Sequence, residues 1–170
     1  MILLGGQGIW YDKPILPTTW HTRAYYGLDN TWTVYMCAQS LFKLHPLYDD
    51  VIVDVLLGDP NGHVVFTEGR RQRWTDKFKS RLKSAFDSRM GAGEDGSGGG
   101  SGIGDAFTRV HFVPRQPPGD GFMQLLAISD VVLHPYPFGG SRTSSEAMAL
   151  GLPTVTLPTN QVSLRHRRNN

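Results

Sequence analysis

Residues 134–158 read HPYPFGGSRTSSEAMALGLPTVTLP, and the way this stretch folds decides the architecture. It sets a glycine pair, Gly139 and Gly140, and the hydroxyls of Ser141, Thr143 and Ser144 between two apolar runs, Asp130 to Leu133 and Thr154 to Leu157. Short β-branched runs of that kind are strand signals, and the amphipathic piece between them is helical in period. A helix is predicted over about Ser144 to Leu150, with Gly151 ending it and Pro153 just beyond. Strand, glycine loop, helix and strand in succession form the unit of a parallel sheet covered by helices.

Working outward, the same alternation repeats. Further strands are predicted at Thr33 to Cys37, His63 to Thr67 and Arg109 to Val113. Between the first two, Pro46 can open a helix, and PLYDDVIVDVLLGDP keeps helical apolar spacing until Gly58 and Pro60. From Arg71 to Phe86, Trp74, Phe78, Leu82 and Phe86 fall four apart among Lys and Arg, giving one apolar stripe on a basic helix. These aromatics read as core. A shorter helix, GFMQLLAIS, follows Asp120. The expected fold is therefore α/β: a Rossmann-like parallel sheet with helices on both faces.

At 170 residues the chain is the size of one domain, and a net charge of +2 is too small to point to nucleic acid or membrane as partner. The single cysteine, Cys37, excludes an internal disulfide, and no Cys/His spacing suggests a zinc site. No window is long and apolar enough for a membrane span, and MILLGGQGIW lacks a basic signal-peptide start. A soluble protein of a reducing compartment fits these features. Residues 1–32, with Pro14, Pro17, Trp20, Tyr25 and Tyr26, have no clean period and read as a crossover leading into a lobe spanning 33–170. Within that lobe the run 91–104, GAGEDGSGGGSGIG, is mostly glycine and reads as a flexible loop insertion. A last strand followed only by a short basic tail (Arg165, Arg167, Arg168) points to a fragment of a larger enzyme.

In open parallel sheets ligands bind where the carboxyl ends of strands feed their loops. The loop over Gly139, Gly140, Ser141, Arg142, Thr143 and Ser144 has the composition to hold a phosphate, with close backbone approach, hydroxyl donors and the first amides of a helix together. Glu146, one turn further, can accept hydrogen bonds from sugar hydroxyls. The bland alternative is a capping box in which Thr143 and Glu146 satisfy each other's amides and no ligand is needed. A second polar group, CAQSLFKLHP (37–46), also follows a strand. Its Lys43 can neutralise a departing diphosphate, and Gln39 and Ser40 can hydrogen-bond phosphate or base; taken singly, each is also an ordinary surface residue. His45, His63, His111 and His134 show no metal-ligating spacing, and Cys37 reads as a buried strand end.

Taken in order, YMCAQSLFKLHPLYDD and HPYPFGGSRTSSEAMALGLPTVTLP resemble the carboxyl-terminal lobe of the O-GlcNAc transferase and SPINDLY group of glycosyltransferases, over most of Thr33 to Pro158. The resemblance implies one lobe of a two-lobed GT-B enzyme, usually preceded by tetratricopeptide repeats. Such enzymes transfer a sugar with inversion from a nucleotide diphosphate to Ser or Thr hydroxyls of proteins, with no required metal or other cofactor. It implies that Lys43 is similar to the catalytic lysine facing the diphosphate. Gln39, Ser40, Gly139, Gly140, Ser141, Arg142, Thr143 and Ser144 would then surround the nucleotide sugar, and Glu146 would stand where the family commonly has a ribose-holding aspartate. Ser141 and Gly121 or Phe122 stand where the family has histidines, and Gln39 lies one place earlier than its usual glutamine.

UDP and N-acetylglucosamine are the leading expectations for the donor. The implied partners are a protein acceptor, an amino-terminal lobe and repeat helices, in the cytoplasm or nucleus. A transferase of the same architecture with another donor and a glycan or small-molecule acceptor, or a non-catalytic binding module, are the rival readings.

Overall fold

The computed structural model describes residues 11–91, 106–136 and 139–157. All but the first residue of the predicted glycine-rich insertion, and the basic tail, lie outside those residues. In chain order the elements are β1 (Thr33–Cys37), α1 (Leu47–Gly58), β2 (Gly62–Thr67), α2 (Gln72–Gly91), β3 (Val110–Val113), α3 (Asp120–Ala127), β4 (Val131–Leu133), α4 (Arg142–Ala149) and β5 (Thr154–Val155). Short 3-10 turns occupy Arg23–Tyr26, Leu41–Lys43 and Phe107–Arg109.

All strand pairings are parallel, in the order β3-β2-β1-β4-β5. Side chains alternate strictly between two cores, as the two-residue period of a strand requires. Cys37, Val64, Phe66 and Leu133 face α1 and α2, meeting Ile52, Leu56, Phe78, Leu82 and Phe86. Val34, Met36, Val65, Val113 and Val132 face the other way, onto Leu125 and Leu126 of α3 and Ala147 of α4. Helices thus cover both faces, the expected doubly wound α/β arrangement.

Helix α2 runs five residues past Phe86, to Gly91, and four other departures from expectation bear on packing. Arg109 does not begin β3; it closes the preceding turn, where its guanidinium reaches the carbonyls of Leu56, Asp59 and Gly62. β5 is an edge strand that ends at Val155, short of the expected Leu157, and Val155 and Leu157 are both more than half exposed. Helix α4 starts at Arg142, ahead of Ser144. Trp74 leaves the core: Phe78, Leu82 and Phe86 are buried, but Trp74, in the first turn of α2, is 40% exposed.

Two polar anchors hold the chain around the sheet. Asp130 accepts from the Val34 amide and from Arg23, both at 2.7 Å, and Arg23 also donates to the carbonyls of Ile128 and Trp32. This fastens the segment before β1 to the amino ends of β1 and β4. Arg81 of α2 grips the buried Asp49 of α1 through both carboxylate oxygens, at 2.7 and 2.9 Å, and donates to the Leu44 carbonyl at 3.0 Å. The second anchor sets the position of the Leu41–Lys43 turn.

At the amino ends of the central strands, Trp32 stacks on His63 (3.7 Å between centroids), and His63 Nδ1 lies 2.8 Å from His111 Nε2. Burial, reinforced by His111 and Arg109 and partly opposed by Asp59 and Asp29, pushes His63 down to about 4. Because the folded value lies below the unfolded one, the unfolded chain takes up this proton first. Stability is then complete above about pH 6.5 and is lost as the pH falls toward 4, by up to about 3 kcal/mol from this group. Thermal melts across that range should show the loss, and His63→Gln should flatten it; equal slopes in the two proteins would remove the histidine as its cause.

Candidate functional site

The site follows from where the strand order reverses. From β1 the chain winds outward through β2 to β3, then returns to place β4 on the opposite side of β1. The loops leaving β1 and β4 therefore diverge to opposite faces and open a crevice between them, the switch point at which α/β sheets bind ligands.

From β1, the chain passes Ala38, Gln39 and Ser40 and tightens into the turn Leu41–Lys43, where the Lys43 amide bonds the Ser40 carbonyl at 2.9 Å. From β4, His134 continues pairing with β5 through its amide to the Val155 carbonyl. Its side chain is buried beneath the loop, with Nε2 3.0 Å from Ser144 Oγ. Ser144 gives its one hydroxyl proton to the Gly140 carbonyl at 2.8 Å, so the imidazole N–H donates to Ser144.

Gln39 joins the two loops. Its amide nitrogen donates to Thr143 Oγ1 at 2.5 Å, and its amide oxygen accepts from Lys43 Nζ at 3.2 Å. Lys43, Gln39 and Thr143 thus form one chain of contacts across the crevice. Thr143 acts there as acceptor, which leaves its own hydroxyl proton for a further partner.

The capping-box alternative is not what the chain adopts. Ser141 is the N-cap and makes no side-chain cap bond, Thr143 is engaged by Gln39, and Glu146 is held by Arg142 Nε at 3.1 Å. Gly140 is required for space rather than for an unusual backbone angle, since positive φ among the described glycines occurs only at Gly27, Gly119 and Gly151. A methyl group on Gly140 would run into Thr143 Oγ1, would sit 2.6 Å from Gln39 Nε2 and would lie 2.9 Å from Ser144 Oγ.

The crevice is a cavity of about 250 Å³. Of the residues singled out from the sequence, Gln39, Ser40, Lys43, Arg142, Thr143 and Glu146 line it. Ser141 and Ser144 do not: the Ser141 hydroxyl meets Tyr11 at 2.8 Å, and that of Ser144 is turned under the loop. Gly139 and Gly140 are buried in the backbone of the turn. The remaining wall includes Thr67 at the end of β2, Arg115 and Gln116 in the loop after β3, and Phe122 in the first turn of α3. Examining the loop after every predicted strand, instead of only the two most polar ones, would have found it. Three cations, Lys43, Arg115 and Arg142, face one carboxylate, Glu146, so the cavity favours an anion carrying hydroxyl groups. Cys37, two residues from Gln39, is fully buried and its thiol is pushed up to about 12, so it offers no thiolate nucleophile at neutral pH.

Fold and crevice together define an α/β, Rossmann-like lobe, and its structural neighbours are GT-B glycosyltransferases. A mutant O-GlcNAc transferase from Thermobaculum terrenum superimposes over 81% of this chain and 23% of its own, with a TM-score of 0.62 and 20% identity. A UDP-forming trehalose-phosphate synthase from Burkholderia xenovorans matches over 71% of this chain and 27% of its own (TM-score 0.45, 16% identity). HepE from Anabaena in complex with UDP-glucose matches over 78% and 31% (TM-score 0.45, 22% identity). The chain therefore spans between about a quarter and a third of the length of these structures. No family model matches the chain, and no curated protein does.

Proposed function

We propose that this chain is the donor-binding lobe of an inverting glycosyltransferase that uses a UDP-sugar, with N-acetylglucosamine the leading choice of sugar and Ser or Thr hydroxyls of proteins as acceptors. The observation that supports it best is the Lys43–Gln39–Thr143 chain, which places an ammonium and a hydroxyl in one cavity with Glu146. An ammonium and a hydroxyl suit a pyrophosphate, and the carboxylate suits the vicinal hydroxyls of a ribose.

In this reading the acceptor hydroxyl attacks the anomeric carbon from the face opposite the leaving group, and the bond to the diphosphate oxygen breaks with its electron pair. Negative charge grows on that oxygen. Lys43, the Thr143 hydroxyl and the first amides of α4 meet it with positive ends already in place, which lowers the barrier electrostatically. Gln39 holds Lys43 toward Thr143 and is a positioning residue. No covalent intermediate and no metal are needed for this step. Acceptor-side groups come from a second lobe.

Calorimetric titration with UDP, in the presence of EDTA, tests the proposal. The unmodified chain is expected to bind. Lys43→Ala and Glu146→Ala should each weaken binding about tenfold or more, the usual loss for a hydrogen bond to a charged group. Equal binding by both variants and the unmodified chain, or none by any of them, would overturn it.

A further inference from the structure

Next to the donor cavity, on the other side of the Leu41–Lys43 turn, lies a second hollow of about 250 Å³. Leu41, Leu44 and Phe78 form its buried apolar floor, while Phe42 and Trp74 stand at its edges, 78% and 40% exposed. Gly69 brings Trp74 close to the turn: a methyl group there would sit 3.1 Å from Trp74 Cβ and 3.5 Å from Leu41 Cδ1. Aromatic side chains this exposed around a preformed apolar hollow are the composition of an interface centre, not of an ordinary solvated face.

The charged residues that line the hollow are basic. Arg73, Lys77 and Arg81 follow each other at four-residue intervals along α2, so they form one ridge, and Lys77 and Arg81 line the hollow. Arg81 is held rigid by Asp49 and the Leu44 carbonyl and lies over the Phe78 ring, 5.0 Å from its centroid. Arg70 and Arg71, both exposed, continue the basic surface into the loop from β2. Of the acidic groups nearby, Asp49 is committed to Arg81 and Asp76 accepts from Gln72, while Glu68 is half-buried.

We propose that this groove docks an acidic polypeptide segment that carries one large apolar side chain. The apolar residue seats between Phe42 and Trp74, and flanking carboxylates pair with Arg73 and Lys77, while Arg81, held by Asp49, forms part of the wall. Apolar burial supplies affinity, and the basic ridge supplies orientation and encounter rate. The hollow has room for a single anchor side chain. The turn that separates this hollow from the donor cavity places the bound segment beside Lys43.

Fluorescence anisotropy with a labelled Asp/Glu-rich peptide containing one central phenylalanine tests the proposal. Saturable binding that weakens with rising salt is expected. Serine in place of the phenylalanine, Trp74→Ala, and the combined Arg73→Glu and Lys77→Glu exchange should each weaken binding by at least about tenfold. The charge exchange alters exposed side chains only, so it remains informative even where Trp74→Ala impairs folding. Absence of saturable binding, or binding indifferent to both sets of variants, would overturn the proposal. So would a single-stranded oligonucleotide that binds as tightly as the peptide, or concentration-dependent self-association in sedimentation that disappears in Trp74→Ala.

Discussion

Gly140→Ala is expected to lower affinity for UDP about a hundredfold while leaving the chain folded. The added methyl group has nowhere to go. Thr143 Oγ1, Gln39 Nε2 and Ser144 Oγ all lie within its reach, and none of them is the loose end of a flexible side chain. Ser144 is pinned by the Gly140 carbonyl and by His134, and Gln39 is pinned between Lys43 and Thr143. Relief therefore requires the turn to move away from the β1 loop, which breaks the contact that aligns Lys43 with Thr143. Loss of the alignment removes the Lys43 and Thr143 hydrogen bonds to the diphosphate together, about 3 kcal/mol or a hundredfold, whereas overpacking strain of about 1–3 kcal/mol leaves a domain of this size folded. Calorimetry beside a thermal melt separates the two effects. A variant that binds UDP as the parent does would show that the close approach at Gly140 serves packing alone.

Arg109→Ala is expected to cause the largest loss of stability, about 2–4 kcal/mol, or on the order of 10 °C in Tm. The guanidinium donates to the Gly62 carbonyl at 2.8 Å, to that of Asp59 at 2.7 Å and to that of Leu56 at 2.5 Å. Leu56 belongs to the last turn of α1, whose carbonyls have no partner within the helix, and Asp59 and Gly62 carry the chain from there into β2. One side chain thus ties together three carbonyls of the α1–β2 connection. Lysine has no planar fork, so Arg109→Lys should recover only a minor part of the loss. Chemical denaturation measures both variants, and a loss below about 1 kcal/mol in Arg109→Ala would mean that water replaces the guanidinium at little cost.

Most of the fold was legible because burial imposes a period on the sequence. In β1 and β2 successive residues enter opposite cores, and residues 34–37 and 64–66 form unbroken apolar runs because both faces are covered. The stripe Phe78, Leu82, Phe86 marked α2 for the same reason, and Trp74 misled only because the end of a helical stripe can overrun the core it packs on. Boundaries read less well where a residue's partners are distant: Arg109 looks like the start of a strand until its three carbonyl acceptors are seen.

At the site, residue types were legible and their pairings were not. Thr143 and Glu146 have the spacing of a mutual cap, and nothing local distinguishes that arrangement from the observed one. The outcome turned on Gln39, which reaches Thr143 across 104 positions of sequence, and on Arg142, which takes Glu146 instead. Local sequence alone determined the alternation of strands and helices, the glycine turn and the set of polar residues offered at the strand ends, because each depends on period, backbone freedom and side-chain chemistry within a few neighbours. The order β3-β2-β1-β4-β5, and with it the meeting of the β1 and β4 loops, was decided by tertiary structure. Which strands lie side by side depends on packing both cores at once, a condition spread over the whole chain and written in no single segment.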